Sequence, residues 1–337
     1  MTHFLERSAV RALLAALAVV ALLVLPFGIE NYWLRVWTSV LMYVVVAQGL
    51  NIIVGFAGYH SFGNAAFFGI GAYSGAILLA AGWPLAFALG ASILAGAILA
   101  AVLGWPLLRL RGHYFAIATV ALNIALAELV LNTEPITGGA QGIAMPIPDG
   151  TPEELYRKVY LLMLAGAIVS TVLVWWLTRS RFGYALRASK DSESGARAMG
   201  INTTRVRVLG WMLSAAATAY VGAVWAYWMN FIEVTGAFDI GISLKGYIMM
   251  LMGGMGSVLG PALGAVFFET FATLIWSRFG AVHNLMLGVL VCVVVLFLPR
   301  GFAELLRGRR HRRSVIAAQA ASGTAVPAQA TTVRSRT

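Results

Sequence analysis

Charged residues are scarce in this chain. Only 11% of its 337 residues are Asp, Glu, Lys or Arg, whereas 60% are hydrophobic. Ordinary soluble domains are about a quarter charged, and a water-soluble fold of this length could not cover its surface with so few charges. The composition therefore excludes an ordinary soluble protein and predicts an all-α, polytopic integral membrane protein.

Cysteine is almost absent as well. Cys292 is the single one and lies in an apolar run, so no disulfide can form within the chain. The net charge of +11 does not indicate nucleic acid as a partner, because the basic residues lie between and after apolar runs and no nucleic-acid-binding motif accompanies them. Membrane topology explains that distribution better, so we expect the chain to contact membrane lipid and no nucleic acid.

The motifs of the common enzyme classes are missing. The chain contains no Gly-Lys dipeptide, so it has no GxxxxGK[ST] phosphate loop and cannot hold ATP in the usual way. It also contains no HExxH, no CxxC and no GxSxG nucleophile elbow. We therefore expect a chain that is not an enzyme and that binds no metal and no cofactor of its own.

Long apolar runs are abundant. A membrane helix needs about 20 mostly apolar residues, and about ten runs qualify. They lie at roughly 11–29, 36–54, 62–81, 84–108, 114–132, 159–178, 205–229, 243–259, 261–277 and 283–298. The runs 243–259 and 261–277 are short and are separated only by the Gly260-Pro261 break, so they are either two full spans or a re-entrant pair. The first run could be a signal peptide, but no small-x-small cleavage site precedes Glu30, which favours an uncleaved span.

The distribution of Lys and Arg predicts the orientation, because short cytoplasmic loops collect positive charge. Four basic clusters lie at 7–11, 109–111, 179–207 and 300–313. With ten spans, all four fall on the same side of the membrane, so we expect both termini in the cytoplasm. The segment 133–158 then becomes a periplasmic loop. We expect residues 1–313 to form the transmembrane domain and the Ala/Ser/Thr/Pro-rich tail 314–337 to be disordered in the cytoplasm.

The loop 179–207 is the most informative polar segment. It carries seven basic residues, enough to anchor the topology. Asp191 can also N-cap a short helix, SESGARAM, that Gly200 can end as the C′ residue, and Asn202 can cap the next span. A capped helix would be superfluous for topology alone. We therefore interpret the loop as a docking element.

Glycines and polar residues interrupt the apolar stretch 51–76. Small residues let helices approach closely in lipid, but close packing does not explain His60, Ser61 and Asn64 at one break. Broken membrane helices are tolerated where they are buried in protein or line a cavity. A loosely similar segment, GGMGSVLGPALGAVFFE, occupies 253–269. Two such segments in the two halves of the chain indicate a transport pathway.

Few ionisable residues lie within the apolar runs. Glu128 and Lys245 lie near the ends of theirs, where a side chain can reach the interface. Glu269 is the deepest. Ionisable groups in membrane segments are functional candidates. Glu269 therefore has either a pathway or packing role, or none.

Several stretches resemble one family of transporters. They are LNIIVGFAGYHSFGNAAFFGIGAYSGA, LRLRGHYFAIATVAL, TGGAQGI, ALRASKDSESGARAMGINTTRVRVLGWMLSAAATAYVGAVWA, GGMGSVLGPALGAVFFE and LFLPRGF. On these stretches the chain is similar to the permease subunit of branched-chain amino acid ABC importers, of the LivM type. The likeness covers most of the chain between 50 and 302. The LRLRGHYFAIAT stretch and the extra N-terminal span resemble the M-type more than its H-type partner.

The resemblance implies an ATP-driven importer in the bacterial inner membrane. A second permease subunit of the LivH type would share the translocation path, and two ABC ATPase subunits would hold ATP and Mg. A periplasmic or lipid-anchored substrate-binding protein would deliver the substrate. The helix at 187–200 would be the coupling helix seated in an ATPase groove.

The resemblance also assigns roles to residues. At the ATPase-coupling interface it implies Arg187, Asp191, Ser194, Ala196, Met199, Gly200 and Ile201. Along the substrate pathway we expect Gly58, Tyr59, His60, Ser61, Gly63, Asn64, Asn123, Ser257 and Glu269.

The substrate and one alternative mechanism stay open. Family members often have Gln and Leu where this chain has Tyr59 and His60, and His where it has Asn64. The expected substrates are branched-chain or related amino acids, and the alternatives on the same architecture are urea, short amides or aromatic and organic acids. A self-sufficient, ion-coupled secondary transporter is the competing mechanism, and it would need no docking loop.

Overall fold

The structure, a computed structural model, describes residues 17, 19–110, 112–146, 150–279 and 288, with no side chains described for 276–279. This part of the chain is a bundle of helices. They are α1 (Asn31–Leu50), α2 (Asn64–Ala80), α3 (Leu85–Leu107), α4 (His113–Leu131), α5 (Glu134–Thr137), α6 (Pro152–Arg179), α7 (Arg181–Asp191), α8 (Glu193–Ala198), α9 (Thr203–Met229), α10 (Val234–Ala237), α11 (Ile240–Gly253) and α12 (Gly260–Phe279). A π-helix, Asn51–Phe56, continues α1, and 3-10 turns lie at Leu25–Phe27 and Gly139–Gln141.

One pair of very short strands departs from the all-helical pattern. Strand β1 (Ile143–Ala144) runs antiparallel to β2 (Phe231–Ile232), with Ile143 opposite Ile232. The pair ties the segment after α5 to the end of α9. The predicted all-α class is confirmed, with this pair as a local addition.

The membrane spans agree with the apolar runs. By length and composition, six described segments could cross a membrane, and two shorter apolar helices, Asn64–Ala80 and Gly260–Ile275, accompany them. These eight correspond to the eight predicted runs between 36 and 277. The first run, where it is described, is helical at 17 and 19–24. Apart from residue 288, the run 283–298 with Cys292 lies outside the described residues, as does the tail 314–337.

Helix α1 with its π-helix lies at the centre of the bundle. Within its most apolar window, 94% of the residues are buried, against 28% for α3 and 22% for α4. The outer helices therefore present most of their surface outward, where lipid can cover it. The buried polar residues of this segment, such as Gln48 and Asn51, cannot reach lipid or water, and they must find partners inside the protein.

Glycines let α2 and α9 pack at short range. Gly71 faces the backbone of Ala219, with no room for a Cβ, and a Cβ on Gly75 would lie 2.9 Å from the Cβ of Ala223. Without a hydrophobic drive between helices in lipid, such close van der Waals contact is what holds them together. This accounts for several of the glycines in the stretch 51–76.

Helices α11 and α12 form a hairpin whose turn at 254–259 is partly buried, with Gly254 and Ser257 inside and Met255 and Leu259 exposed. Helix α11 has 14 residues, about 21 Å, whereas a bilayer core is about 30 Å thick. The turn at 254–259 is not helical, so the predicted run 243–259 ends six residues early as a helix. Val234–Gly253 is nevertheless one of the six candidate spans, and α12 has 20 residues, so helix length does not decide between two full spans and a re-entrant pair.

Candidate functional site

Between the π-helix and α2 the chain leaves helical structure at residues 57–63, which we call the break. The break lies where the sequence predicts it. Gly58 has φ +77°, a conformation that favours glycine because other residues clash there. The Tyr59 N–H then donates to the Ile53 carbonyl at 3.1 Å, which folds the chain back onto the π-helix.

Three of the predicted pathway residues are buried in helix packing. Asn64 Nδ2 donates to Thr218 Oγ1 at 3.0 Å and lies 3.3 Å from Ser214 Oγ, both on α9. Ser61 Oγ accepts from the Gly63 N–H at 3.2 Å. Ser61, Gly63 and Asn64 are all buried. Asn64 therefore fastens the start of α2 to α9, and within the described part of the chain none of the three lines an open channel.

His60 is the exposed polar residue of the break. Its Nδ1 lies 2.7 Å from the Tyr247 hydroxyl on α11, and the Phe62 ring packs 5.3 Å from the Tyr247 ring. Partial burial, and then the charges of Lys190 and His113, lower the pKa of His60 below its ordinary value. The imidazole is therefore neutral near pH 7, and Nδ1 can accept the Tyr247 hydroxyl proton.

The loop 179–207, called the docking loop from here, contains two helices and not one. Helix α7 runs through Asp191, and α8 starts at Glu193. The prediction that Asp191 caps the short helix is wrong by one residue. Ser192 is the N-cap, and its Oγ accepts from the Gly195 N–H at 3.1 Å. The predicted helix at 187–200 is therefore divided at Ser192, which has extended backbone angles.

The other end of α8 agrees with the sequence. Gly200 has φ +81°, and the Ile201 N–H donates back to the Ala196 carbonyl at 3.0 Å. Asn202 Oδ1 accepts from the Arg205 N–H at 3.0 Å and caps α9 as predicted. The short helix is thus fixed at both ends.

The predicted coupling residues face two directions. Met199 has 83% of its surface exposed. Asp191, Ser194 and Gly200 are exposed too, whereas Ala196 is buried and Arg187 and Ile201 are half-buried. Arg187 lies over the Phe56 ring, 4.7 Å from its centre. A partner can reach the first group, and the second group attaches the docking loop to the protein.

A buried arginine joins the docking loop to the break. Arg207, only 5% exposed, donates from Nη1 to the Tyr59 hydroxyl at 2.8 Å and from Nη2 to the Ser189 carbonyl at 2.8 Å. Its Nη1 also lies 3.2 Å from Glu193 Oε2, and Arg197 pairs with the other oxygen of that carboxylate. Buried charges need such partners, and removing one partner typically costs about 3–5 kcal/mol. The ion pairs therefore fix Arg207 within the docking loop, and its hydrogen bond to the Tyr59 hydroxyl connects that loop to the break.

Lys190 makes a second link. Its Nζ donates to the Gly55 carbonyl of the π-helix at 2.9 Å, and its side chain crosses close to Gly58. The Tyr59 hydroxyl, already bonded to Arg207, donates to the Leu108 carbonyl at 3.3 Å. One end of the bundle thus joins the docking loop, the break and the end of α3.

The π-helix also holds the second broken segment, at 254–259. Asn51 Nδ2 donates to the Ser257 carbonyl at 2.9 Å, and Asn51 Oδ1 accepts from the Gly256 N–H at 2.7 Å. Gln48 Nε2 donates to the Val258 carbonyl at 2.7 Å. The two segments that the sequence singled out are therefore in contact, and the helix between them touches the docking loop. π-helical turns are frequent at functional sites.

Two predicted pathway residues lie apart from this cluster. Asn123 is buried on α4 and donates from Nδ2 to the Phe238 carbonyl at 2.9 Å. Glu269 is half-buried on α12, and its Oε2 has no hydrogen-bond partner in the described part of the chain. Among the described residues there is no group of three or more His, Cys, Asp or Glu side chains that could hold a metal ion.

Comparison with known proteins decides the family. The family model described as "Branched-chain amino acid transport system / permease component" matches residues 32–298, most of the chain. The chain belongs to this family. The resemblance to LivM-type permeases is confirmed, and this permease is a multi-pass membrane protein and the transport subunit of an ABC importer.

Its curated relatives cover nearly the whole chain. The permease is 29% identical to the high-affinity branched-chain amino acid transport system permease protein LivM of Salmonella typhimurium, over 89% of this chain and 76% of that protein. It is also 29% identical to LivM of Escherichia coli K12, over 86% and 75%. The autoinducer 2 import system permease protein LsrC of Escherichia coli K12 is 26% identical, over 93% of each chain. No solved structure matches.

Sequence reasoning missed the residues that connect the site. In the sequence, Arg207 and Lys190 stand out only as two of the basic residues that set the membrane topology. Nothing in the sequence assigns a role to Glu193. One available signal was the four-residue spacing of Glu193 and Arg197, which predicts a pair on a helix. Another was Asn51, a polar residue in an apolar run that needs an internal partner.

Proposed function

We propose that this permease imports branched-chain amino acids or close relatives across the bacterial inner membrane. It would share the pathway with a LivH-type permease, above two ATPase subunits that hold ATP and Mg, and receive substrate from a binding protein. In this proposal the docking loop and both termini lie in the cytoplasm, and the segment 133–158 faces the periplasm. The names of the LivM relatives support the substrate class.

The observation that carries the proposal is the link between the docking loop and the break. Met199 projects outward, whereas the opposite side of the loop is bonded through Arg207 and Lys190 to Tyr59 and Gly55. An ATPase that moves the exposed side would therefore move the break with it. A secondary transporter has no use for such an arrangement.

The transmitted motion would reach the second broken segment as well. Helix α9 follows the docking loop through the Asn202 cap, and the π-helix bonds the 254–259 turn through Asn51. Because packed elements shift as units, a displacement of the docking loop changes both broken segments together. The hydrogen bond between His60 of the break and Tyr247 of α11 would be altered by such a displacement.

The variant Met199→Asp tests whether the docking loop binds the ATPase subunits, and Met229→Asp is the matched control. Met229 ends the same helix that follows the docking loop, and it is 43% exposed. A charge in the centre of an interface should reduce ATPase recovery by about tenfold or more, because anchors of this kind contribute 2 kcal/mol or more. The tagged chain is extracted gently from its host, and co-purifying subunits are quantified by mass spectrometry.

Two outcomes would overturn the docking proposal. One is equal ATPase recovery with both variants. The other is a wild-type chain that recovers no ATPase and takes up substrate in liposomes with only an ion gradient. The substrate proposal needs a separate measurement, in which leucine uptake is competed by valine, urea and short amides. Competition by urea or amides alone would reassign the substrate and leave the ATPase dock intact.

A further inference from the structure

An apolar groove lies on the outer surface of the bundle, between α6 and α9. Its volume is about 930 Å³, and its walls include Val169 and Trp176 of α6 and Leu209 and Leu213 of α9. Val169 has 66% of its surface exposed and Trp176 has 50%. The groove is therefore open to whatever surrounds the bundle.

The groove runs to the docking-loop end of the bundle. Trp175 lines it near the end of α6, and so does Phe182 of α7, the first helix of the docking loop. From Val169 to Arg179, the last residue of α6, the helix rises about 15 Å at 1.5 Å per residue. That is half of a hydrocarbon core about 30 Å thick. The groove therefore spans the depth of one lipid leaflet.

An inner cavity of about 300 Å³ continues the groove toward the centre of the bundle. Leu173 and Leu213 line both spaces, and Val45 of the central helix α1 lines the inner one. One turn of a helix, about 10 Å wide and 5.4 Å long, needs roughly 420 Å³. A helix of another subunit therefore cannot fill this cavity, whereas a single hydrocarbon chain can enter it.

The inner cavity offers no free polar group to a solute. Ser170 and Tyr220 are the polar side chains among the described residues that line it. The Tyr220 hydroxyl donates to the Leu162 carbonyl at 2.7 Å, and Ser170 Oγ donates to the Ala167 carbonyl at 3.1 Å. If the cavity were empty, its walls would lose van der Waals contact, so hydrocarbon is the occupant that fits.

Three arginines lie at the docking-loop end of the groove. Arg179 lies over the Trp175 ring, 4.4 Å from its centre. Arg181 starts α7, and Arg205 lies one helical turn before Leu209 on the same face of α9. All three are exposed, and none has a carboxylate partner among the residues that the structure describes.

The segments that form the groove contain no acidic residue. Neither Asp nor Glu occurs in 93–111, 165–190 or 203–220, so the positive charge at the end of the groove is not compensated there. An arginine suits a phosphate group because its planar guanidinium can donate two parallel hydrogen bonds to it. Basic pockets between membrane helices bind the headgroups of anionic lipids.

We propose that this groove binds one anionic phospholipid, with its acyl chains between α6 and α9 and its phosphate at Arg179, Arg181 and Arg205. One acyl chain enters the inner cavity. The bound lipid contacts α6, α9 and the first helix of the docking loop at the same time. A zwitterionic lipid would fill the groove but would leave the three arginines without a net counter-charge. The site does not depend on which solute the permease carries.

The test uses the wild-type chain with its co-purifying subunits in nanodiscs that contain a trace of photoactivatable phospholipid. The photoactivatable acyl chain is carried either by phosphatidylglycerol, which is anionic, or by phosphatidylcholine, which is zwitterionic. After irradiation, mass spectrometry maps the labelled residues. We expect phosphatidylglycerol to label Val172, Trp176 and Leu213 about fivefold more than phosphatidylcholine, or better, since fivefold is the factor for one arginine at a membrane surface. Both lipids should label Ile117 and Ile124, on the exposed face of α4, equally.

A pair of charge variants supplies a second measurement. Arg181→Gln should lower the labelling of the groove by phosphatidylglycerol about fivefold. Arg157→Gln is the matched control, because Arg157 lies near the start of α6, at the opposite end of that helix, and is paired with Glu153. This control should leave the labelling of the groove unchanged.

Three outcomes would overturn the proposal. Equal labelling of the groove by the two lipids would show ordinary surrounding lipid without recognition of the phosphate. A groove that neither lipid labels would show that another subunit covers it. An equal loss with Arg181→Gln and Arg157→Gln would show a general effect of charge. Labelling needs neither ATP nor a transported solute, so the lipid site can fail while the importer assignment stands, and the converse.

Discussion

Replacing Gly58 by alanine tests how closely the docking loop fits the break. Gly58 has φ +77°, and a Cβ there would lie 2.7 Å from Lys190 Cγ. The left-handed backbone costs an alanine about 1–2 kcal/mol. Displacing Lys190 also weakens its 2.9 Å bond to the Gly55 carbonyl, which we put at about 1–2 kcal/mol because the lysine is partly exposed. The free energy of unfolding should therefore fall by about 2–4 kcal/mol.

The structure offers a control for the backbone part of this figure. Gly82 has φ +80°, and a Cβ there would meet nothing within 4 Å. Gly82→Ala should therefore lower the unfolding free energy by only the backbone amount, about 1–2 kcal/mol. The difference between the two glycine variants measures the contact with Lys190.

A double-mutant cycle completes the measurement. In a Lys190→Ala background the obstructing Cγ is absent, so Gly58→Ala should cost no more than Gly82→Ala. The expected coupling between Gly58 and Lys190 is about 1–2 kcal/mol, read from reversible unfolding in mixed detergent micelles. If Gly58→Ala costs the same with and without the Lys190 side chain, the docking loop does not press on the break and our reasoning about this contact is refuted.

Two further variants separate packing from function. Asn64→Leu removes the donor that serves Thr218 and Ser214, so we expect unfolding to become easier by about 1–3 kcal/mol; normal stability with lost uptake would instead assign Asn64 to the pathway. His60 has a pKa lowered by burial, so its neutral form is favoured in the folded protein. The stability that this adds is complete above about pH 6.5 and is lost as the pH falls from there through the lower folded pKa. Unfolding midpoints between pH 5 and pH 8 should show this loss in the wild type but not in His60→Gln, and parallel profiles would contradict it.

The positions of the spans could be read from the sequence because the signal is local. Long apolar runs have few alternatives to a membrane helix, and the eight runs from 36 to 277 appear as helices. The break at 57–63 followed from glycines and polar residues that no lipid-facing helix would keep. The end of α8 followed from Gly200, since a left-handed residue there favours glycine.

The connections within the site could not be read in this way. Arg207 and Tyr59 are 148 residues apart, and nothing in the spacing of either pairs them. Asp191 and Ser192 are adjacent and nearly equal as helix caps, so the packing of α7 decided between them. Ala196 and Met199 are only three residues apart, yet Ala196 is buried and Met199 is exposed. This difference depends on which side of the short helix packs against the rest of the protein.

The close packing of α2 against α9 has a practical consequence for measuring conformational change in this permease. With Gly71 against the Ala219 backbone and Gly75 against Ala223, the two helices cannot slide or tilt past each other without collision. Probes placed at the ends of these two helices should keep one separation throughout a cycle. The distance between these two helices is therefore a constant internal reference, and displacements of the docking loop or of α11 can be measured relative to it.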